Sequence, residues 1–266
     1  MRATRSGRGG RGGAETRVPD PWGLDSRAEE GRFADMSRKS LTERQADGLA
    51  SFLEEVKRLP ERRGGGPGRL IFALDATASR EPTWDRAARV TGEMFLEAGR
   101  LGGLEVQLVF YRGFDECKAS RWVTEPRTLV DLMTRVTCRA GQTQIRRVLR
   151  HALRETAKER VHALVFIGDC CEEDIDELGR LAGELGVRGV RGFMFQEGAD
   201  PVAGRAFRDI ARLTGGAHCR FDSAAPGQLR ELLAAVAAYA AGGIAALESF
   251  AGRSGGNVRL IARQIR

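Results

Sequence analysis

Residues 69–79 read Arg-Leu-Ile-Phe-Ala-Leu-Asp-Ala-Thr-Ala-Ser, an unbroken apolar run that ends in a carboxylate and two hydroxyls. The run has the length and apolar character of a strand buried on both faces, which is typical of parallel sheets. Asp75, Thr77 and Ser79 follow at alternate positions, a spacing that can aim their oxygens the same way. Ligands of open α/β sheets bind beyond the carboxyl ends of the strands. The stretch therefore predicts a buried strand with a candidate binding site at its end.

Apolar runs of strand length alternate with helical patterns along the rest of the chain. The predicted strands are Leu70–Leu74, Val106–Tyr111, Ala163–Ile167, Gly192–Phe195 and His218–Phe221, with a short Ser120–Val123 pairing antiparallel at an edge. The predicted helices are Trp84–Gly99, Leu129–Val136, Ile145–Glu159, Glu173–Leu185, Ala203–Leu213 and Gln228–Ala241. This alternation predicts the α/β class, with a doubly wound, mostly parallel six-stranded sheet and helices on both faces.

The segments that flank this domain differ from it in composition. Residues 1–36 are rich in Gly and Arg and poor in apolar residues, which predicts a disordered tail. Residues 37–60 carry apolar side chains at helical spacing and predict an amphipathic helix, and the Gly-rich residues 61–68 predict a linker. The domain is expected over residues 69–247, followed by a basic C-terminal tail at 248–266.

The net charge of +7 at pH 7 comes from the two ends of the chain. Residues 1–69 hold 15 Arg and Lys against 11 Asp and Glu, and residues 252–266 hold 4 against none. Residues 70–251 keep the remaining 24 basic and 25 acidic side chains of the 43 and 36 in the chain. A near-neutral domain with 6% aromatic residues has no obvious electrostatic surface for nucleic acid, which argues against RNA binding.

The cysteines and the start of the chain predict a cytoplasmic protein. Five cysteines are an odd number and none forms a C-x-x-C pair, so we expect reduced thiols. The first 13 residues are basic without an apolar run behind them, so no secretory signal is expected. The apolar run Leu232–Leu247 has 16 residues, where about 20 are needed to cross a bilayer. It favours a helix packed on the core.

Two further side chains are predicted to join Asp75, Thr77 and Ser79. Asp169 follows the fourth strand along the chain, and Thr143 stands where a turn opens a helix. Two carboxylates with several hydroxyls suit a hard cation, which predicts Mg²⁺ or Mn²⁺. An ion with mostly neutral ligands keeps part of its positive charge and would attract a carboxylate from another molecule. Such a site binds a partner and does not catalyse a reaction. The alternative is that Ser79 and Thr143 only cap helices while the two Asp residues accept backbone N–H bonds at the ends of their strands.

This arrangement resembles the metal-ion-dependent adhesion site of the von Willebrand factor A family, which reads Asp-x-Ser-x-Ser after the first strand, then a Thr, then an Asp after the fourth strand. Asp75, Thr77 and Ser79 match the first motif, with Thr for the middle Ser, and Thr143 and Asp169 match the other two positions. The family often has Gly after the last Asp, where this chain has a cysteine. The resemblance implies the strand order 3-2-1-4-5-6.

The resemblance also implies a metal-dependent protein-binding module, in which an acidic side chain of a partner completes the coordination of the ion. Bacterial intracellular members of the family often work with ring ATPases or in multi-protein assemblies, which implies a subunit or adaptor of such a complex. Two alternatives remain. Some members of the family occur in RNA-associated proteins. Phosphatases of the haloacid-dehalogenase type also place Asp after a first strand, but they need a second Asp where Thr77 stands.

Three other features lie at the same predicted edge. Arg112 follows the second strand and would contact a bound ligand, unless it belongs to a solvated loop. Cys170 and Cys171 form either a redox switch beside Asp169 or two small buried side chains of a turn. The acidic run that begins at Glu172 either tunes the metal site or only complements the dipole of the next helix.

Overall fold

Alternating strands and helices build the part of the chain that the structure describes. The structure is a computed structural model, and it describes residues 67–82, 104–222 and 225–265. The predicted tail at 1–36, the predicted helix at 37–60, most of the predicted linker and the helix predicted at 84–99 lie outside the described residues.

A six-stranded sheet forms the centre of the described fold. Its strands are β1 (Gly68–Asp75), β2 (Leu104–Arg112), β3 (Glu116–Ala119), β4 (Ala163–Gly168), β5 (Arg191–Glu197) and β6 (Ala217–Phe221). Their order is β3-β2-β1-β4-β5-β6, and every neighbouring pair is parallel except β2 with β3. The predicted fold class and the strand order implied by the family resemblance are thus confirmed.

Helices cover both faces of this sheet. They are α1 (Pro126–Thr134), α2 (Ile145–Lys158), α3 (Ile175–Val187), α4 (Pro201–Thr214), α5 (Pro226–Arg253) and α6 (Gly256–Gln264). Apolar side chains of α1, α5 and α6 form one core cluster with the sheet, and those of α2, α3 and α4 form the other. β1 contributes Leu70, Phe72 and Leu74 to the first cluster and Ile71 and Ala73 to the second. Burial on both faces explains the unbroken apolar run of this strand.

The antiparallel edge strand lies earlier in the chain than the sequence predicted. It is β3 and not Ser120–Val123. β2 runs on to Arg112, and Gly113, with a φ of 60°, turns the chain straight back, so that pairing begins at Glu116 opposite Arg112. A left-handed backbone is readily adopted by Gly, which makes Gly113 the sequence signal for this hairpin. Val123 keeps one isolated bridge to β2.

The last residues of the chain belong to the fold where the sequence predicted a basic tail from residue 248. α5 continues to Arg253, and α6 buries Val258 and Ile261 in the core. These two apolar residues are three positions apart and therefore share one helix face. Arginines surround these two residues in the sequence, so the segment has a basic composition and its apolar helix face is not evident.

Among the described residues, α5 is long and apolar enough to cross a membrane, judged by length and composition alone. Most of its apolar stretch is buried inside the fold, as expected of a helix packed on a sheet. The helix is also broken at Gly243, where φ is 75° and ψ is −160°. This break falls within the glycine pair that interrupts the apolar run in the sequence. α5 is therefore a core helix of this fold.

Candidate metal centre at the carboxyl edge of the sheet

Asp75 is the buried centre of the candidate site. It ends β1 and lies opposite Tyr111 of β2 in the parallel register. Its Oδ2 accepts a hydrogen bond of 2.8 Å from the Tyr111 hydroxyl, and its Oδ1 accepts one of 2.8 Å from the backbone N–H of Thr77. Burial raises the pKa of the Asp75 carboxyl, and the neighbouring Asp169 adds to the rise, while the bonds from Thr77 and Tyr111 act in the opposite direction. Asp75 is thus held in one orientation.

Thr77 and Ser79 place two hydroxyls next to this carboxylate. Their oxygens are 3.1 Å apart and hydrogen-bond to each other. Thr77 is buried, whereas Ser79 is exposed in a short 3-10 turn over Ala78–Arg80. Thr77 stands at the N-terminal end of this turn, but its side chain makes no capping hydrogen bond. The hydroxyls are therefore turned toward each other rather than used to cap the turn.

Asp169 and Cys170 reach the same place from β4, the other neighbour of β1. The carboxylate oxygens of Asp75 and Asp169 and the Sγ of Cys170 provide three potential ligand atoms within 4.8 Å of one another. Oδ1 of Asp169 is buried and has no hydrogen-bond partner within the described part of the chain. Gly168 permits this close approach, because a Cβ there would lie 2.8 Å from the Phe166 ring and 3.5 Å from Cβ of Asp75.

Thr143 is tied to the loop that carries Asp169. Its hydroxyl accepts a 3.0 Å hydrogen bond from the backbone N–H of Glu172, and its own N–H donates to Oε2 of Glu172 at 3.0 Å. The Glu173 carboxylate accepts from the N–H groups of Ile145 and Arg146 at the start of α2. Glu173 therefore caps this helix, and Thr143 does not. The capping alternative, which the sequence raised for Ser79 and Thr143, is thus not what the structure shows for Thr143, whereas Asp75 does accept a backbone N–H bond as that alternative expected.

The acidic residues after Cys171 therefore have two structural roles. Glu172 and Glu173 join the β4–α3 loop to Thr143 and to α2, while Asp174 caps α3 by accepting from the N–H groups of Asp176 and Glu177. Asp176 and Glu177 lie in the first turn of α3, where acidic residues complement the helix dipole.

Arg80 is a buried cation beside the site that the sequence pattern did not reveal. Its guanidinium forms an ion pair with Glu197 at the end of β5. Burial lowers the pKa of Arg80, and the carboxylates of Asp169 and Asp75 oppose that change, which shows that all three groups share one electrostatic environment. Within the described part of the chain, the carboxylates of Asp75, Asp169 and Glu197 and the guanidinium of Arg80 carry a formal charge of −2. A divalent cation would neutralise this excess.

Arg112 was predicted to contact a ligand, and its position argues against that role. Its side chain is 2% exposed. Its guanidinium binds the Glu116 carboxylate at 2.8 and 3.0 Å, and it donates to the carbonyl and hydroxyl of Thr137 at 2.7 Å each. These contacts fasten the β2–β3 hairpin to the following loop. Arg112 is therefore a structural residue of the fold.

The two adjacent cysteines have different surroundings. Cys171 is buried, and its thiol lies 3.8 Å from the backbone carbonyl of Glu173, to which it donates. Cys170 is half-buried, and its Sγ lies within 4.8 Å of a carboxylate oxygen of Asp169. Burial and the carboxylates of Asp169 and Asp75 raise the pKa of the Cys170 thiol. A raised pKa makes the thiol a poor nucleophile without a cation, so the redox-switch hypothesis gains no support.

Solved structures resemble this fold at low sequence identity. Proximal thread matrix protein 1 from the mussel byssus, described with a zinc-occupied MIDAS motif, is 14% identical, and the match covers 65% of this chain and 46% of that one with a TM-score of 0.52. The D319A mutant of the PilB minor pilin from Streptococcus sanguinis is 11% identical, with coverage of 66% and 61% and a TM-score of 0.53. The VWA domain of SpRpn10 is 14% identical, with coverage of 63% and 94% and a TM-score of 0.48. No family profile and no curated protein matches the sequence. At these identities the likeness concerns the fold alone.

Proposed function

We propose that this chain, whose fold is that of the von Willebrand factor A domains, is a protein-binding module that works through a divalent cation at the carboxyl edge of its sheet. The cation would be held by Asp75, Thr77, Ser79, Thr143 and Asp169, the five residues that the sequence predicts. An acidic side chain of a partner protein would complete its coordination. The module acts by binding and carries out no reaction of its own.

The observation that carries this proposal is the buried, unpartnered Oδ1 of Asp169 close to the Asp75 carboxylate. A buried charged oxygen without a partner costs free energy, because it has lost water and gained nothing in return. Burial raises the pKa of the Asp75 carboxyl, and repulsion from Asp169 adds a smaller contribution in the same direction. A divalent cation between them would remove both costs. The residues present therefore fit a metal ion.

The hydroxyl groups explain why such a cation would remain open to a partner. Thr77 and Ser79 are neutral ligands, so an ion bound to them keeps more of its positive charge than one enclosed by carboxylates. Ser79 is exposed to solvent, which leaves an approach for an incoming carboxylate on that side. Oxygen ligands of this kind suit Mg²⁺ or Mn²⁺, the ions that the sequence predicts.

We place the module in the cytoplasm, as a subunit or adaptor of a multi-protein complex, and propose a ring ATPase as a partner. This rests on the reduced thiols that the sequence predicts and on the family resemblance of the metal motif. The phosphatase alternative gains nothing from the structure, because the required second Asp is replaced by Thr77, whose hydroxyl is bonded to Ser79.

Thermal unfolding tests the metal part of this proposal. Mg²⁺ or Mn²⁺ should raise the unfolding temperature of the wild type and leave that of Asp75→Asn unchanged, since a ligand that binds only the folded state stabilises it by about 2.7 kcal/mol at 100 times its Kd. Equal shifts in both proteins would place the ion elsewhere.

The partner is tested by affinity capture from host extract. A protein held by the wild type in Mg²⁺, released by EDTA and not held by Asp75→Asn would support the binding function. Capture that is unchanged by EDTA and by the substitution would contradict the binding function.

A further inference from the structure

The residue after Asp169 brings a sulfur atom into the candidate metal centre. Sγ of Cys170 and carboxylate oxygens of Asp75 and Asp169 all lie within 4.8 Å of one another. A zinc ion binds sulfur at about 2.3 Å and carboxylate oxygen at about 2.0–2.2 Å, so donors at the corners of a tetrahedral site lie about 3.4–3.6 Å apart. The three donor atoms would therefore approach one another by at most about 1.4 Å as they take up one ion.

A sulfur donor changes which ion such a site prefers. Mg²⁺ and Mn²⁺ take oxygen ligands, and Mg²⁺ demands six in near-octahedral order. Thiolate is a soft ligand that selects zinc and similar ions, which accept tetrahedral sites with mixed sulfur and oxygen donors. A site with two carboxylates and one thiolate therefore differs in kind from one with oxygen donors alone.

We propose that Cys170 is itself a ligand of the bound cation and makes the site selective for zinc over magnesium. This inference rests on the metal centre of the proposed function and replaces Mg²⁺ as its preferred occupant. Asp75, Asp169 and Cys170 supply three donors to zinc, in place of the hydroxyls that would help to hold Mg²⁺. The thiol proton passes to solvent as the sulfur–zinc bond forms. The fourth position is left for water or for the carboxylate of a partner. Closed structural zinc sites have four protein ligands, whereas zinc sites that bind another molecule keep three and leave the fourth position to water or to that molecule.

The adjacent Cys171 provides a matched control. Its thiol donates to the carbonyl of Glu173 and does not belong to the ligand group. Cys170→Ser and Cys171→Ser each remove one sulfur atom, and the two positions are adjacent in the same loop. Only the substitution at Cys170 should therefore affect the metal.

Cobalt(II) is the probe, because thiolate bound to cobalt gives a charge-transfer band in the near ultraviolet that oxygen ligands do not give. The reduced full-length protein is titrated with Co²⁺ and then with Zn²⁺ and Mg²⁺ as competitors. We expect the band in the wild type and in Cys171→Ser and its loss in Cys170→Ser. We also expect a fall in zinc affinity of more than about tenfold in Cys170→Ser, since even outer-shell partners of metal ligands contribute 10–100-fold. Stabilisation of Cys170→Ser by Mg²⁺ should persist.

Three results would overturn the inference. Cobalt binding without the band in the wild type, or a band that survives in Cys170→Ser, would show that the sulfur is not a ligand, while the metal centre of the proposed function would stand. Failure of the wild type to bind Co²⁺, Zn²⁺, Mn²⁺ and Mg²⁺ would remove the inference and the proposed function together.

Alkylation of the wild type gives a second measurement that does not depend on a folded variant. Zinc should slow the reaction of iodoacetamide with Cys170, read by mass spectrometry of the peptide. An unchanged rate at Cys170 would overturn the inference.

Discussion

The Tyr111 hydroxyl donates a hydrogen bond of 2.8 Å to Oδ2 of Asp75, joining the ends of two adjacent parallel strands at the candidate metal centre. Both residues are fully buried, and the Tyr111 ring stacks on Phe166 with a centroid distance of 6.2 Å. The bond holds the Asp75 carboxylate in place before any ion arrives. It therefore links the stability of the sheet edge to the geometry of the site.

Replacement of Tyr111 with Phe removes only this bond and keeps the stacked ring. We expect the free energy of unfolding in EDTA to fall by about 1–3 kcal/mol, because a buried carboxylate oxygen loses its donor. Urea unfolding measures the change. In an Asp75→Asn background the same substitution should cost less, since the carboxylate is gone. An equal cost in both backgrounds would show that Tyr111 acts independently of Asp75.

Arg80 should have opposite effects on stability and on metal binding. Arg80→Met removes the ion pair between the buried Arg80 and Glu197, and removing one partner of a buried pair costs about 3–5 kcal/mol. The same change removes a positive charge beside Asp75 and Asp169, so the ion should raise the unfolding temperature more in Arg80→Met than in the wild type.

The double substitution Arg80→Met with Glu197→Gln is the control for this prediction. It should recover part of the lost stability, because the carboxylate that lost its guanidinium partner is replaced by a neutral amide. It should keep the larger metal response. A metal response equal to that of the wild type would contradict the electrostatic role of Arg80.

Glu173 should stabilise the fold through helix α2. Its carboxylate accepts from the N–H groups of Ile145 and Arg146, so Glu173→Ala should lower the free energy of unfolding by about 0.5–2 kcal/mol, as loss of other helix caps does. Glu177 is the comparison, because its carboxylate accepts no helix N–H bond and instead forms ion pairs with the exposed Arg146 and Arg150 from the first turn of α3. Such pairs contribute about 0–1 kcal/mol. If Glu177→Ala costs as much as Glu173→Ala in urea unfolding, the capping role is wrong.

His218 should make the fold less stable in acid. Burial lowers the pKa of His218 to about 4 from an ordinary value of 6.5, and Arg208 and Arg220 act in the same direction. The unfolded chain takes up this proton first, so the contribution of His218 is fully present above pH 6.5 and is lost as the pH falls towards 4. His218→Gln keeps a hydrogen-bonding group near Gln196. The wild type should lose more stability between these pH values than this variant, and parallel curves in urea unfolding would contradict the prediction.

The fold and part of the site follow from local patterns in the sequence. Asp75 and Asp169 could be paired because each ends an apolar strand, and adjacent parallel strands end at the same edge of a sheet. Tyr111 could have been found in the same way, since the register of β1 and β2 sets it opposite Asp75.

Other features depend on loop conformation and on distant contacts, which a linear pattern does not reveal. Arg80 follows Ser79 directly, but its burial depends on Glu197 of β5, more than 100 positions away. The sequence favoured a small turn residue at Cys170, whereas the end of β4 places its sulfur within 4.8 Å of a carboxylate oxygen of Asp75. Arg112 looked like a ligand contact because it follows a strand, whereas the hairpin at Gly113 buries it against Glu116.

The central claim is that Asp75 and Asp169 hold one divalent cation between them, and equilibrium dialysis followed by metal analysis tests it most directly. The wild type, dialysed against Zn²⁺ or Mn²⁺, should retain one ion per chain, and Asp169→Asn should retain none under the same conditions. Equal metal content in the wild type and in Asp169→Asn, or none in the wild type, would contradict the claim.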